Sequence, residues 1–472
     1  MSRPCDLAIL GSGPGGYAAA MAASRRGLRV ALIERGPIGG VCLNVGCIPT
    51  KALIAVAHRW RDVQRAGAYG IRIAGAELDF AAVMVRAQRI VGTLRQGLTG
   101  LLRRQGIEIL SGEASFEDAH TLRIIHERNT VSLVADRLLV ATGASPSPGP
   151  WQFDGQRLLS YRDALNLSAL PSSLLIIGGG VIGCEFASCF ASFGVTVTIV
   201  EQQPQILPTE DSEAVRLIVR SLEARGVKWL TGTTVERLEA TPAGVRATLA
   251  TGELLQAERC LIAVGLRPNS HGLGLESLGI ETDHGVSVDE FLLTRQRHIA
   301  AIGDCLAGHG LAHLASAEGV LAVRNLCERE PERLDSRHVP RCVYTDPELA
   351  HVGITEMAAE VSARVSRFSF AALGKALCDE EPEGPEGFVK LIVEAGSERV
   401  LGATIVGTHA SSLIHVATLA IQHGLTARQL AGSITAHPTW PEAITEAAGQ
   451  IYGESLSTIG GVRAPRRASV SG

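Results

Sequence analysis

The sequence lacks an excess of basic residues, a long uninterrupted apolar run and a regular cysteine framework. Lys and Arg number 44 against 48 Asp and Glu, a formal net charge of −4, so no positive field recruits nucleic acid or an anionic membrane. No unbroken apolar run approaches the ~20 residues of a membrane span, and no membrane partner is expected. The first apolar stretch begins within a few residues of Met1, so no secretory or transit segment is expected. The expected location is the cytoplasm of a bacterium, with a processed organellar protein as the alternative. Apart from Cys42 and Cys47, the ten cysteines fall into no framework. Such usage suits a reducing compartment, where a lone disulfide is more often catalytic than structural. Nor does a second cysteine pair stand near Cys42 and Cys47, as a structural zinc site would require.

What is present is a globular composition, 46% apolar and 19% charged over 472 residues, long enough for three or four domains. The central stretch is Gly39–Leu53, GGVCLNVGCIPTKAL. Two thiols this near, with Gly46 between them to let the backbone bend, can join in a small ring. The same spacing is open to two buried structural cysteines.

Upstream, Leu7–Leu10 runs into Gly11, Gly13 and Gly16 of a G-x-G-x-x-G fingerprint, then an alanine-rich helical stretch, then Val30–Glu34. In a strand–glycine turn–helix–strand unit the glycines admit a pyrophosphate, the helix N-terminus supplies amides, and the terminal acid accepts from a ribose hydroxyl. The unit recurs with Leu174–Ile177, Gly178, Gly180, Gly183 and Glu201. Glu34 stands 23 residues beyond Gly11, and Glu201 stands 23 beyond Gly178. Two nucleotide sites on one plan are therefore expected. Glu201-Gln202-Gln203 offers a carboxylate to a free 2′-hydroxyl and no arginine to a 2′-phosphate, which favours NAD over NADP.

Together, Glu34 and GGVCLNVGCIPTK resemble the flavin disulfide oxidoreductases, and CLNVGCIPTK resembles the dihydrolipoamide dehydrogenases among them, over about residues 5–450. The resemblance implies an α/β fold: two Rossmann-like dinucleotide-binding domains, for FAD and NAD, and a C-terminal α+β dimerisation domain. The implied boundaries are 1–147 and 271–338 for the split FAD-binding domain and 148–270 for NAD. Residues 339–455 are then the interface domain and 456–472 a flexible tail. Thr142 and Gly143 match the turn closing the first flavin segment, and Gly265 is their counterpart in the NAD unit. Asp304 matches the residue that binds the ribityl chain, and Ala312 lies where the chain passes the flavin ring. Ser145–Pro150 reads as a linker, residues 343–348, 388–393 and 401–406 as strands, and 411–423 as a helix.

The resemblance further implies a redox-active Cys42–Cys47 disulfide, with Cys42 presented to substrate, and a Lys51–Glu185 pair near the flavin. It makes His437 of the second subunit the general base, oriented by Glu442. The implied protein is a homodimer that oxidises dihydrolipoamide on a lipoyl domain or lipoyl-carrier protein, with NAD as acceptor. Alternatives are a specialised lipoyl carrier or NADH-dependent reduction of another disulfide. Thr439-Trp440-Pro441-Glu442 also reads as a capping box, with Thr439 as N-cap and Glu442 at the third position. Thr435, Leu373 and Ser412 depart from the resemblance, standing where histidine, asparagine and glutamate are usual, and Glu380–Glu386 looks slightly extended.

Overall fold

A computed structural model describes residues 5–458 except 309, 361 and 380–384. The expected tail from 459 onward, and most of the extended Glu380–Glu386 stretch, lie outside the described residues.

The first unit is built on β1 (Cys5–Leu10), α1 (Pro14–Ser24) and β2 (Val30–Glu34). Next come α2 (Gly40–Val45), α3 (Cys47–Arg65), α4 (Phe80–Arg104), β3 (Glu108–Ser111), β4 (Glu113–Phe116), β5 (Thr121–His126) and β6 (Asn129–Val140). The strands lie in the order β3-β2-β1-β6-β5-β4. The long β6 serves two partners: Asn129–Val134 pairs antiparallel with β5, and Ala135–Val140 runs parallel to β1.

The second unit repeats the plan. After β7 (Ala144–Pro146), β8 (Leu158–Leu159) and α5 (Tyr161–Ala164) come β9 (Ser173–Ile177), α6 (Val181–Ser192), β10 (Thr196–Glu201), α7 (Ser212–Ala224) and β11 (Lys228–Thr231). A hairpin sheet of β12 (Val235–Thr241), β13 (Gly244–Leu249) and β14 (Leu254–Ala257) precedes β15 (Arg259–Ile262) and β16 (Leu266–Pro268). The parallel sheet has the order β11-β10-β9-β15-β8. The stretch read as a linker is partly a strand, because β7 pairs antiparallel with β16 and joins entry and exit of this unit.

The chain then re-enters the first unit. β17 (Ile299–Ala301) pairs with β6, and α8 (Ala312–Cys327) lies along α1. Their backbones meet closely: a Cβ on Gly319 would sit 2.3 Å from the Gly15 carbonyl oxygen. The last unit is an antiparallel sheet of β18 (Arg341–Val343), β19 (Leu349–Gly353), β20 (Arg364–Ser369), β21 (Phe388–Val393) and β22 (Val400–Val406), ordered β18-β19-β22-β21-β20. It carries α9 (Gly374–Asp379), α10 (Ala410–Gln422), α11 (Ala427–Ala431) and α12 (Glu442–Gln450). Phe368, Leu391 and Ile405 of its strands bury Leu413, Ala417 and Ile444 of its helices.

Two expectations are corrected. The run 343–348 is a strand only at its start. Pro347 has no amide to give a ladder, and the polar groups of Tyr344, Thr345 and Asp346 are taken up by other parts of the chain or by the turn itself. Thr439 is not the N-cap, since α12 begins at Glu442 behind Pro441 and the Thr439 hydroxyl donates to the Ala436 carbonyl. One helical segment among the described residues, Gly40–Tyr69, has the length and composition of a membrane span, but Lys51, Arg59, Arg61, Asp62 and Arg65 interrupt it, so the expectation of no unbroken apolar run stands. Its apolar face is occupied here: Leu53, Ile54 and Ala57 join Phe80 and Met84, Phe186 and Phe190, and Val343 and Phe388 in one cluster. All three units thus meet on α3.

Candidate active site

Cys42 lies on α2 and Cys47 opens α3, with Gly46 as the break between the helices. The two are disulfide-bonded, their Cα atoms 4.6 Å apart. A side chain would be tight at the break, because a Cβ on Gly46 would lie 3.0 Å from the Val41 carbonyl oxygen. Cys184 and Cys189 have the same spacing in sequence. Both sit inside one continuous helix, α6, as buried free thiols whose acidity burial suppresses.

One turn along α3 from Cys47 is Lys51. Its Nζ donates to Glu185 Oε2 on α6 at 2.8 Å, with side chains 33% and 6% exposed. A residue the sequence reading overlooked completes the pair. The Tyr344 amide donates to Glu185 Oε1 at 3.0 Å, and its ring centroid lies 4.2 Å from Lys51 Nζ. Both carboxylate oxygens are therefore engaged, and a positive charge is fixed one turn from the disulfide.

The nucleotide fingerprints are alike down to their hydrogen bonds. Glu34 accepts from the Ser12 amide at 2.9 Å and the Gly36 amide at 2.8 Å. Glu201 accepts from the Gly179 amide at 2.6 Å and the Gln203 amide at 2.7 Å. Each acid thus pins its own glycine turn while keeping lone pairs for a ribose hydroxyl. Gly11 and Gly178 place their backbones against Ala141 and Ala263, where a Cβ would lie 2.3 and 2.4 Å from a carbonyl oxygen. Gly16 and Gly183 seat the helix on the strand, with 1.9 and 2.0 Å left for a Cβ. At Gly13 and Gly180, which cap α1 and α6 without a side-chain hydrogen bond, a Cβ would meet nothing within 4 Å. Bare backbone at an uncapped helix N-terminus, with open space before it, fits the pyrophosphates of FAD in the first unit and NAD in the second.

The other expected positions line the rims of these units. Thr142 Oγ1 donates to the Asn269 carbonyl at 2.7 Å, and Asn269 Nδ2 returns a bond to the Thr142 carbonyl. Gly143 and Gly265 follow the two central strands, each with a positive φ, +68° and +120°. Asp304 lies in a 3-10 turn after β17, where buried Glu318 accepts from the Gly303 amide at 2.7 Å. Burial raises Glu318 above the usual carboxylate range. Ala312 opens α8 just beyond.

His437 and Glu442 form a second cluster. Glu442 Oε2 holds His437 Nδ1 at 2.8 Å, and its Oε1 takes the Thr439 amide. His437 is 77% exposed and Glu442 21%. Among the described residues, no hydrogen bond or ion pair joins this cluster to Cys42, Cys47 or Lys51. The loop is held by Trp440, whose Nε1 donates to Asp379 Oδ2 at 2.9 Å and whose ring meets Phe370 and His409 edge-on. The departures have local accounts. Leu373 is buried in the same apolar cluster as Trp440, Thr435 Oγ1 bonds Thr445 Oγ1 at 2.7 Å, and Ser412 is exposed on α10.

The chain is similar to known proteins over nearly its whole length. Residues 5–319 match the pyridine nucleotide-disulphide oxidoreductase profile, and 339–448 match the dimerisation domain of that family. The chain is 38% identical to a dihydrolipoyl dehydrogenase of Bacillus subtilis, across 96% of this chain and 98% of the relative. It is equally identical to one of Geobacillus stearothermophilus, across 96% and 97%. Among solved structures, LpdA of Mycobacterium tuberculosis superposes with a TM-score of 0.90 at 30% identity, covering 94% and 99%. An HOCl-induced flavoprotein disulfide reductase of Escherichia coli superposes with 0.84 at 28% identity, covering 94% and 100%. Members of the dihydrolipoyl dehydrogenase branch use FAD and NAD, the two cofactors the paired fingerprints fit. With its disulfide between α2 and α3, its doubled nucleotide unit and its matched dimerisation domain, the chain belongs to the pyridine nucleotide-disulphide oxidoreductase family.

Proposed function

We propose that this protein is a homodimeric, NAD-linked dehydrogenase that oxidises dihydrolipoamide carried on a protein, using the Cys42–Cys47 disulfide. The observation that carries the reading is that disulfide at the start of α3, one turn from the Lys51–Glu185 ion pair. The names of the relatives at 38% identity support the substrate.

A thiolate of the substrate attacks Cys42 Sγ, the Cys42–Cys47 bond breaks, and Cys47 leaves as a thiolate. The second substrate thiol then displaces Cys42, so the substrate closes to its cyclic disulfide and the protein holds the dithiol. A thiol of ordinary pKa is mostly protonated at pH 7 and needs a base. His437 suits that role: a carboxylate only accepts, so Nδ1–H donates to Glu442 and Nε2 stays free for the proton. In the homodimer this reading assigns His437 to the site of the second copy, a role that rests on the family resemblance and is supported by the matched dimerisation domain and the exposure of the side chain. Lys51 keeps a positive charge beside Cys47 and the flavin ring. Gly11, Gly13, Gly16, Glu34 and Asp304 would hold FAD, which would supply two-electron chemistry between the dithiol and NAD. Gly178, Gly180, Gly183 and Glu201 would hold NAD.

A cytoplasmic location is part of the same reading, supported by eight free cysteines beside one disulfide. The test is NADH formation from free dihydrolipoamide by the purified flavoprotein, with Cys47→Ser alongside. Turnover abolished by the substitution supports the reaction. A flavoprotein that takes electrons from NADH yet leaves dihydrolipoamide untouched refutes the substrate.

A further inference from the structure

Tyr344 touches both members of the Lys51–Glu185 pair by different groups, its ring on the ammonium and its amide on the carboxylate. It belongs to neither unit that carries them. It stands just after β18, at the start of the Tyr344–Glu348 turn of the interface domain, and that turn is fastened on every side. The Asp346 amide donates to Ser188 Oγ on α6 at 3.1 Å, and its carbonyl accepts from Ser221 Oγ on α7 at 2.9 Å and from Arg225. The Asp346 carboxylate pairs with Arg61, farther along the helix that bears Cys47 and Lys51. Glu348 Oε2 accepts the Ser411 amide at the start of α10, at 2.9 Å. The Ser411 side chain also lies beside the Tyr344 phenol, which burial pushes up to about 12, so the phenol stays neutral.

A lysine side chain has four rotatable bonds, and one carboxylate oxygen leaves Lys51 Nζ free to swing around it. A π face on the other side of the ammonium removes that freedom. We propose that Tyr344 is a positioning residue of the redox centre, which fixes the Lys51 ammonium against Glu185 and ties its place to the packing of the interface domain. The inference rests on the reading that places Lys51 beside the flavin. Through this turn the arrangement of the interface domain sets the charge that the bound flavin senses, so a disturbance at the α10 N-terminus reaches Lys51 without touching either cysteine.

The experiment measures the midpoint potential of the FAD bound to wild type, Tyr344→Leu, Tyr344→Phe and Lys51→Met, with kcat and KM for dihydrolipoamide. Tyr344→Leu is expected to move the potential to more negative values and to lower kcat about fivefold, the scale of one cation–π contact. KM stays within about twofold. Tyr344→Phe, which keeps the π face, restores both values. If Tyr344→Leu binds no flavin, Tyr344→Met keeps most of the buried volume without a ring and gives the same comparison. A Tyr344→Leu potential equal to wild type, while Lys51→Met shifts it, overturns the positioning role and leaves the functional reading intact. A Lys51→Met potential equal to wild type removes Lys51 from the flavin and overturns the positioning role together with the placement of Lys51, whereas the dehydrogenase reaction is refuted only by absent turnover of dihydrolipoamide.

Discussion

Lys390 Nζ on β21 lies 2.7 Å from Asp211 Oδ2, with both side chains almost completely buried at 2% and 5% exposed. Asp211 is also the N-cap of α7, where its other oxygen accepts from the Glu213 and Ala214 amides. Glu213 and Glu356 complete the shell around the ammonium at 3.0 and 2.9 Å. One lysine therefore fastens the NAD-binding unit to the interface sheet.

Lys390→Met is expected to destabilise the protein by about 3–5 kcal/mol at pH 7, because it removes the buried cation that Asp211, Glu213 and Glu356 share. Burial alone would lower the Lys390 pKa, but the charge of Asp211 and the bonds to Asp211, Glu356 and Glu213 outweigh it and hold it above 10.5. This contribution is thus intact throughout the neutral range and lost only as pH rises through the raised value. Glu213 is pushed up by burial and more strongly down by Lys390 and Arg367, to below 4.5. Its contribution is present above 4.5 and lost as pH falls through the lowered value. In the variant the three carboxylates have lost their shared cation, and acid relieves the repulsion among them. Unfolding midpoints of the two proteins should therefore converge as pH falls from 7 towards 4, and a constant gap would refute the pairing.

The shared carboxylate of Glu442 separates two effects. Glu442→Gln still offers an oxygen to the Thr439 amide, so the start of α12 survives, but it no longer bears the charge that balances a protonated His437. Turnover with dihydrolipoamide should fall by about 100-fold, the scale of a general base, with the unfolding midpoint and the oxidised flavin spectrum unchanged. Loss of stability on the same scale as loss of turnover would make the residue a cap and nothing more.

Much of this site was legible in the sequence because its parts are local. Cys42, Gly46, Cys47 and Lys51 fall within ten residues, and the fingerprints with their acids recur at one spacing. Spacing alone was still insufficient, since Cys184 and Cys189 share it and are buried helical thiols. What separates the pairs is the helix break at Gly46. Tyr344 was invisible for the opposite reason. It comes to Lys51 across nearly 300 residues of chain, and its turn read as a strand because Val343 and Tyr344 favour extended backbone. Lys390 was equally hidden, since a lysine in the apolar run Phe388–Val393 looks like the solvent-facing residue of a strand. Its partners come from other elements altogether.

Burial also orders the remaining thiols. It raises Cys5 to about 11 and Cys305 and Cys342 to about 12, and suppresses Cys184, Cys189 and Cys260 further. Only Cys327 and Cys378 are both free and exposed. Brief alkylation of the native oxidised protein should label these two alone by mass spectrometry. Prior reduction with NADH should add Cys42 or Cys47, as thiolate controls the rate. Labelling of Cys184 or Cys189 without denaturant would contradict the burial of α6.

The two glycines that open α6 make different demands. Gly180 has nothing within 4 Å of a built Cβ, whereas a Cβ on Gly183 would sit 2.0 Å from the Gly178 carbonyl oxygen. Gly180→Ala therefore leaves the protein packing undisturbed and places a methyl group in the space that the second fingerprint keeps open. It should weaken NADH by about tenfold or more, roughly 1.4 kcal/mol, with an unchanged unfolding midpoint and full FAD content. Gly183→Ala forces α6 off β9. Because Glu185 rides on α6, the shift should also displace the partner of Lys51. The expected signature is lower stability, weaker NADH binding and a changed flavin spectrum together. Should Gly180→Ala bind NADH as wild type does, the open space before α6 is not where the pyrophosphate lies.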